Sequence, residues 1–282
     1  MSKIRIVTDS TADLPSDIVD ELGIIVIPLK VSFGREVYRD GVDMQSQEFI
    51  SRLERDDEFP TTSQPSPGEI VAVYEKIIAK GESIISIHLS GKLSGTVQSA
   101  RTAKTMTDSR DIHVIDSRTI SMGLGLIVMA AAKAANEGKS VAEILALINE
   151  KIEKTFLIFL VDTLDYLEKG GRIGKASAFL GTLLKIKPIL ALDDGHIVPI
   201  ERVRGKTKAL ERISEIVADR VDFSKRYRCA LIYGNDYSSV AMLRDHTQNS
   251  IISWEEPVVT VLGPVIMAHT GPGVVGIVLC PE

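Results

Sequence analysis

Two hydrophobic rhythms alternate along the first half of the chain. Short runs rich in isoleucine and valine end in polar residues: "IRIVTDS" (4–10), "IIVIPLKVSFG" (24–34), "SIISIHLS" (83–90) and "DIHVIDS" (111–117). Their length and β-branching predict strands. Between them lie stretches with helical spacing. Pro15 opens one that Gly23 stops, and "SQEFISRLER" (46–55) is a short amphipathic helix. "REVYRDG" (35–41) reads as the returning arm of a hairpin. Ser66, Pro67 and Glu69 form a capping-box signature, which places a helix from about Ser66 to Gly81. A glycine-rich turn feeds a helix within 91–106. The segment Met122–Asn136 is apolar on every side and so is expected to be buried, and another helix covers Val141–Lys154. Strand and helix in turn imply a mainly parallel sheet with helices on both faces.

The second half changes rhythm. A strand within 155–162 precedes a helix, a glycine turn and a helix in "TLDYLEKGGRIGKASAFLGTLL" (163–184). Two strand-like runs then flank Asp194-Gly195, a hairpin signal. A helix over 206–220, a strand over 227–233, a helix over 238–247 and strands over 257–261 and 274–280 follow. A hairpin combined with strand–helix–strand units predicts a mixed sheet. The expected fold is therefore α/β with two closely packed α/β domains, residues 1–154 and 155–282, and a ligand between them.

Composition leaves this picture intact and removes several functions. The 282 residues carry a formal net charge of -5, with 44% hydrophobic and 25% charged residues. A general nucleic-acid binder needs a basic face, so nucleic acid is not an expected partner. Cys229 and Cys280 lie in apolar runs and read as core thiols, not as a disulfide or metal framework. The N-terminus turns polar too early for a signal peptide, and Lys133 and Asn136 interrupt the longest apolar run. A cytoplasmic protein is expected.

Several familiar patterns fail on context. "GPGVVG" (271–276) satisfies G-x-G-x-x-G, but a β-branched run follows it where a dinucleotide site needs a helix. "SGKLSGT" (90–96) has Leu93 after the lysine where a phosphate loop needs a hydroxyl. The five histidines lack metal-ligand spacing, so no metal is expected. What remains is a set of hydroxyl- and glycine-rich turns: 8–15, 61–68, 88–96 and 268–273. Ligands of open α/β sheets bind beyond the carboxyl ends of the strands. Three of these turns lead into helices, whose N-termini favour an anion. Their donors are mostly hydroxyls and amides, including Thr62, Ser63, Ser90 and Ser94, suited to a carboxylate. Ser66 is explained by helix capping alone. Gly91 and Gly95 flank Ser94, and His269 stands beside Gly271 and Gly273.

In order, "VTDSTADLP", "TTSQPSPGE", "LSGTVQSA", "LDYLEKGGRIG" and "AHTGPGVVGI" resemble the DegV family over essentially the whole chain. DegV proteins are in turn similar to the fatty-acid-binding subunits of bacterial fatty acid kinase. The resemblance implies a bound long-chain fatty acid of the palmitate or oleate class, with no other cofactor and no catalysis by this chain. It places the carboxylate on Thr62 and Ser94. Thr61, Ser63 and His269 fall near the head group. Met267 and Ala268 before the histidine depart from the common pattern and bear on the pocket wall. The resemblance also implies a kinase catalytic subunit that phosphorylates the carboxylate, acyl phosphate then being carried toward phospholipid synthesis. The stretch 169–212 is rich in lysine and arginine, among them Arg172, Lys185 and Arg202. It reads as a docking face for an acidic partner or for transient contact with an anionic membrane surface. The glycines and apolar side chains of Met122–Asn136 suggest a tunnel wall. Two other functions fit the residues: a serine hydrolase with Ser94 as nucleophile and His269 as base, and a binder of a non-lipid small molecule.

Overall fold

Three sheets and ten α-helices make up the described residues of this computed structural model, which are 3–56, 58–107, 111–181, 186–222, 224–247 and 256–282. The first sheet is all parallel, in the order β2 (Ile25–Ile27), β1 (Ile4–Asp9), β6 (Ser83–His88), β7 (Ile112–Asp116). A mixed six-stranded sheet follows the order β10 (His196–Arg204), β9 (Ile186–Asp193), β8 (Phe156–Leu160), β13 (Val275–Pro281), β11 (Tyr227–Tyr233), β12 (Val258–Val261). Only its β11–β12 pair is parallel. The hairpin turn at Asp194 (φ 44°) and Gly195 (φ 78°) is left-handed at both central residues, the geometry that a two-residue hairpin needs.

Helices fill the space between the sheets and cover their outer faces. α3 (Pro67–Ile78) and α4 (Thr96–Met106) pack Ile70, Tyr74, Ala100 and Ala103 on the outside of the parallel sheet. α8 (Lys206–Arg220) and α9 (Tyr237–Thr247) do the same on the mixed sheet with Leu210, Ile213 and Leu243. α5 (Ser121–Asn136) lies between the two sheets, touching β1 and β6 on one side and β11 and β13 on the other. A single hydrophobic cluster therefore runs from Ile6 through α5 to Cys280. α1 (Ser16–Leu22) and α6 (Val141–Lys154) flank α5. Reciprocal capping boxes start α3 at Ser66/Glu69 and α6 at Ser140/Glu143.

The structure differs from the sequence reading in four places. The run 24–34 is two strands, not one. Pro28 offers no backbone N–H, and the chain leaves the parallel sheet there to enter a third sheet. That sheet is β4 (Glu36–Arg39), β3 (Lys30–Phe33) and β5 (Thr61–Ser63), antiparallel throughout. Thr61–Ser63, expected as a turn, is thus an edge strand. The segment 268–273, also expected as a turn, begins inside α10 (Pro264–Thr270), a seven-residue helix too short to show a period. Finally, α7 (Asp165–Lys169) is followed by a 3-10 turn at Gly174–Phe179 where a second α-helix was expected. The end of that expected helix, and Lys185, lie outside the described residues. α2 (Ser46–Arg55) agrees with its amphipathic pattern.

Candidate functional site

The candidate site forms where β5, the loop after β6, the glycine turn after α7, and α10 meet. The hydroxyls of β5 differ in what they face. Thr62 pairs with Val31 across the ladder and lines a cavity, whereas Thr61 is exposed and absent from its wall. Ser63 and Gln64 also reach the cavity. From the loop after β6 come Leu89, Leu93 and Ser94. Gly95 packs against the end of the Gln64 side chain, just past β5, where a Cβ would lie 2.7 Å from Gln64 Nε2. The Ser90 hydroxyl donates to the Gly195 carbonyl (2.9 Å) and so ties the same loop to the β9–β10 hairpin.

Thr62 Oγ1 and His269 Nε2 are 2.7 Å apart, joining residues 207 positions distant in the chain. His269 Nδ1 is buried and has no hydrogen-bond partner among the described residues. Gly170 faces that nitrogen so closely that any side chain there would collide with the ring. Burial, with the Arg172 charge adding to it, lowers the imidazole pKa to about 4, so His269 is neutral at physiological pH. Ser94 Oγ bonds Thr96 Oγ1 at 2.9 Å. Arg172, expected on a docking face, instead lines the cavity. Its Nε donates to the Leu93 carbonyl (3.1 Å) and its Nη1 to the Gly170 carbonyl (2.8 Å). Arg202 is exposed, with its guanidinium 4.9 Å from the Phe179 ring centroid.

Apart from Thr270, the rest of the wall is apolar: Leu29, Leu89, Leu93, Ile120, Leu167, Ile197, Val265 and Ile266. These residues come from both sides of Lys154. The cavity measures about 50 Å³. Small-ligand pockets usually begin near ~300 Å³, so this space suits a head group and not a long tail. α5 does not supply the wall. Ile120, just before it, is the nearest contributor, and the residues of α5 are core.

Sequence reasoning missed two features here. One is Arg172 in the wall, brought in from the turn after α7. The other is a hydroxyl–imidazole–carboxylate chain. Ser86 Oγ lies 2.8 Å from His88 Nε2, and His88 Nδ1 lies 2.9 Å from Asp9 Oδ2. All three side chains are fully buried, and this chain ties β6 to β1. The expected hydrolase pair does not form either. Ser94 bonds Thr96, His269 bonds Thr62, and no carboxylate orients His269. Among the described residues no three histidine, cysteine or acidic side chains converge to hold a metal ion. No helix among them is long and apolar enough to cross a membrane.

A parallel sheet feeding hydroxyl-bearing loops, a mixed sheet behind it and a small cavity lined from both halves of the chain define the class of this protein as α/β. The family described as "Uncharacterised protein, DegV family" matches residues 3–282, and this chain belongs to the DegV family. A DegV domain-containing protein of Halalkalibacterium halodurans is 39% identical over 98% of both chains. Among solved structures, a DegV family protein from Thermus thermophilus, described by its fatty acid binding, superposes with a TM-score of 0.94. It is 40% identical, over 99% of this chain and 100% of the other. DegV of Bacillus subtilis, described as a fatty acid binding protein, gives a TM-score of 0.90 at 35% identity over the whole of both chains.

Proposed function

We propose that this protein holds one long-chain fatty acid between its two halves, 1–154 and 155–282, and presents the carboxylate to a separate kinase. The observation that carries this reading is the Thr62–His269 bond in a cavity wall that Ser94 shares, where one polar side is set against leucine, isoleucine and valine side chains. His269 fixes how Thr62 serves. A buried N–H without a partner is rarer than a buried acceptor without one. The neutral ring therefore carries its proton on Nε2 and donates it to Thr62 Oγ1, which leaves the Thr62 O–H to donate to a carboxylate. Ser94 supplies a second hydroxyl and Arg172 a fixed positive charge. Ser63 borders the same space, and Thr61 points away from it.

The tail supplies most of the affinity. Each buried methylene contributes ~0.8 kcal/mol, so about sixteen carbons contribute on the order of 12 kcal/mol before the costs of association. The tail enters by parting the apolar side chains that nearly close the cavity, which offsets part of that gain. With the tail held, a kinase reaches the head group through the mouth, phosphorylates it, and the acyl phosphate stays bound for transfer to phospholipid synthesis in the cytoplasm. Arg202 and its basic neighbours form the docking face, with the anionic membrane surface as a further transient contact.

Mass spectrometry of the organic extract from purified protein tests the core of this reading. A stoichiometric C14–C18 fatty acid is expected, retained in Arg202→Glu and reduced in Thr62→Val. Protein that yields no lipid, even after incubation with palmitate and oleate, would overturn it. The kinase step is tested separately: Arg202→Glu should slow phosphorylation of the bound acid while leaving its binding intact.

A further inference from the structure

The N-terminus of α10 is capped from the other half of the chain. Its own N-cap residue is Gly263, which has no side chain to offer. Asp13 Oδ1 accepts from the Gly263 N–H (2.9 Å) and Asp40 Oδ1 from the Val265 N–H (3.4 Å), across 250 and 225 positions of sequence. Pro264, between them, has no N–H to satisfy. Two further bonds tie the same segment to the first half. Thr260 Oγ1 donates to the Asp13 carbonyl (3.0 Å) and Ser46 Oγ to the Leu262 carbonyl (2.7 Å). Gly263 allows both acids to close on the segment, since a Cβ there would lie 3.0 Å from Asp40 Oδ1 and 3.1 Å from Asp13 Oδ1.

Both carboxyls are buried, and burial pushes Asp13 up to about 8 and Asp40 to about 6. In either protonation state a carboxyl keeps an acceptor for its amide. The Ser121 hydroxyl faces Asp13 and the Ser10 hydroxyl faces Asp40. Each acid is thus set between a serine of the first half and an amide of the second. Close packing is lacking on the side where Thr260, Val261, Gly263 and Pro264 line a second cavity of about 470 Å³, which shares no wall residue with the first. Hydrogen bonds therefore fix the segment there.

α10 delivers Val265, Ile266, His269 and Thr270 to the wall of the first cavity. At about 1.5 Å of rise per residue, His269 stands about 9 Å along the helix from Gly263. The 2.7 Å bond from His269 Nε2 to Thr62 Oγ1 fails once the two atoms separate by roughly another 0.5 Å. We propose that Asp13 and Asp40 are positioning residues for the carboxylate site: by holding the first amides of α10 they set His269 Nε2 on Thr62. The consequence for binding rests on the fatty acid reading of that cavity, and the placement of His269 does not.

Long-range ¹H–¹⁵N NMR of the delipidated full chain, labelled at histidine, reads solvent exchange of the His269 ring N–H, and a titration with palmitate reads affinity. Asp40→Ala removes the acceptor and is expected to speed that exchange at least tenfold and to weaken palmitate at least threefold. Asp40→Asn keeps an oxygen for the Val265 N–H and should restore both to near the wild-type values. Thr260→Val removes the bond to the Asp13 carbonyl at constant shape and should move both readouts in the same direction as Asp40→Ala. His88, fully buried and bonded to Ser86 and Asp9, serves as the internal reference, because a general loss of stability speeds its ring exchange as well. Unchanged His269 exchange in Asp40→Ala and Thr260→Val, His88 accelerating in step with His269, or Asp40→Asn as impaired as Asp40→Ala would each overturn the proposal. Wild-type protein that binds no palmitate would instead overturn the fatty acid reading, and the histidine exchange would still decide the placement of His269.

Discussion

Single side chains decide how the first cavity handles a carboxylate. Thr62→Val keeps the shape of the residue but removes the hydroxyl shared with His269. Loss of that hydrogen bond costs about 1–2 kcal/mol, so a roughly tenfold drop in fatty acid affinity is expected in a displacement titration. Asp13 makes a different prediction. Its folded pKa, raised by burial to about 8 from 3.8, favours the neutral acid in the folded state. The stability it contributes is complete below pH 3.8 and is lost as pH rises through 8. Asp40, raised to about 6, adds the same sign over a narrower window. Asp9, Asp40, Ser121 and the Gly263 amide are the groups that face Asp13. Asp13→Asn should therefore melt higher than wild type at pH 9, with the difference shrinking toward pH 5, as thermal unfolding across that range would show. A variant no more stable at pH 9 would contradict the assignment. Much at this scale was legible in advance: Thr62, Ser94 and His269 stand in recognisable motifs. The place of Arg172 in the cavity wall was not foreseen, because nothing local reveals that its guanidinium bonds the Leu93 carbonyl, 79 residues away.

At the scale of elements, short pieces of structure carry the site, and they were the hardest to foresee. The long helices announce themselves by period and caps, as at Ser66/Glu69 and Ser140/Glu143. Ser140→Ala should cost about 1 kcal/mol in a denaturant titration without touching ligand binding. β5 has three residues and α10 seven, fewer than a pattern needs, so both were read as turns. Their geometry is set by neighbours instead. Gly170 illustrates the dependence, since its missing side chain makes room for the His269 ring on α10. Gly170→Ala is expected to destabilise the fold by about 1–3 kcal/mol and to weaken fatty acid binding by shifting His269, two effects that unfolding and displacement assays read independently.

Across the whole molecule, α/β class and the contrast between a parallel and a mixed sheet followed from the order of strands and helices, whereas the third sheet did not. Its three strands come from residues 30–63, and Pro28 is the one local sign that the chain changes sheets there. The mixed sheet has a further property. β13 is the sole link between the β8–β9–β10 half and the β11–β12 half, pairing Val275 with Leu160 on one edge and with Tyr233 on the other. During synthesis, then, a chain that has left the ribosome only as far as residue 261 exposes two bare strand edges with no strand between them. Such edges are templates for mispairing, and the nascent protein carries them until the β13 segment emerges. A force-sensing arrest peptide placed at increasing distances from residue 261 should register little pull until β13 clears the exit tunnel, then a single sharp rise as the sheet closes.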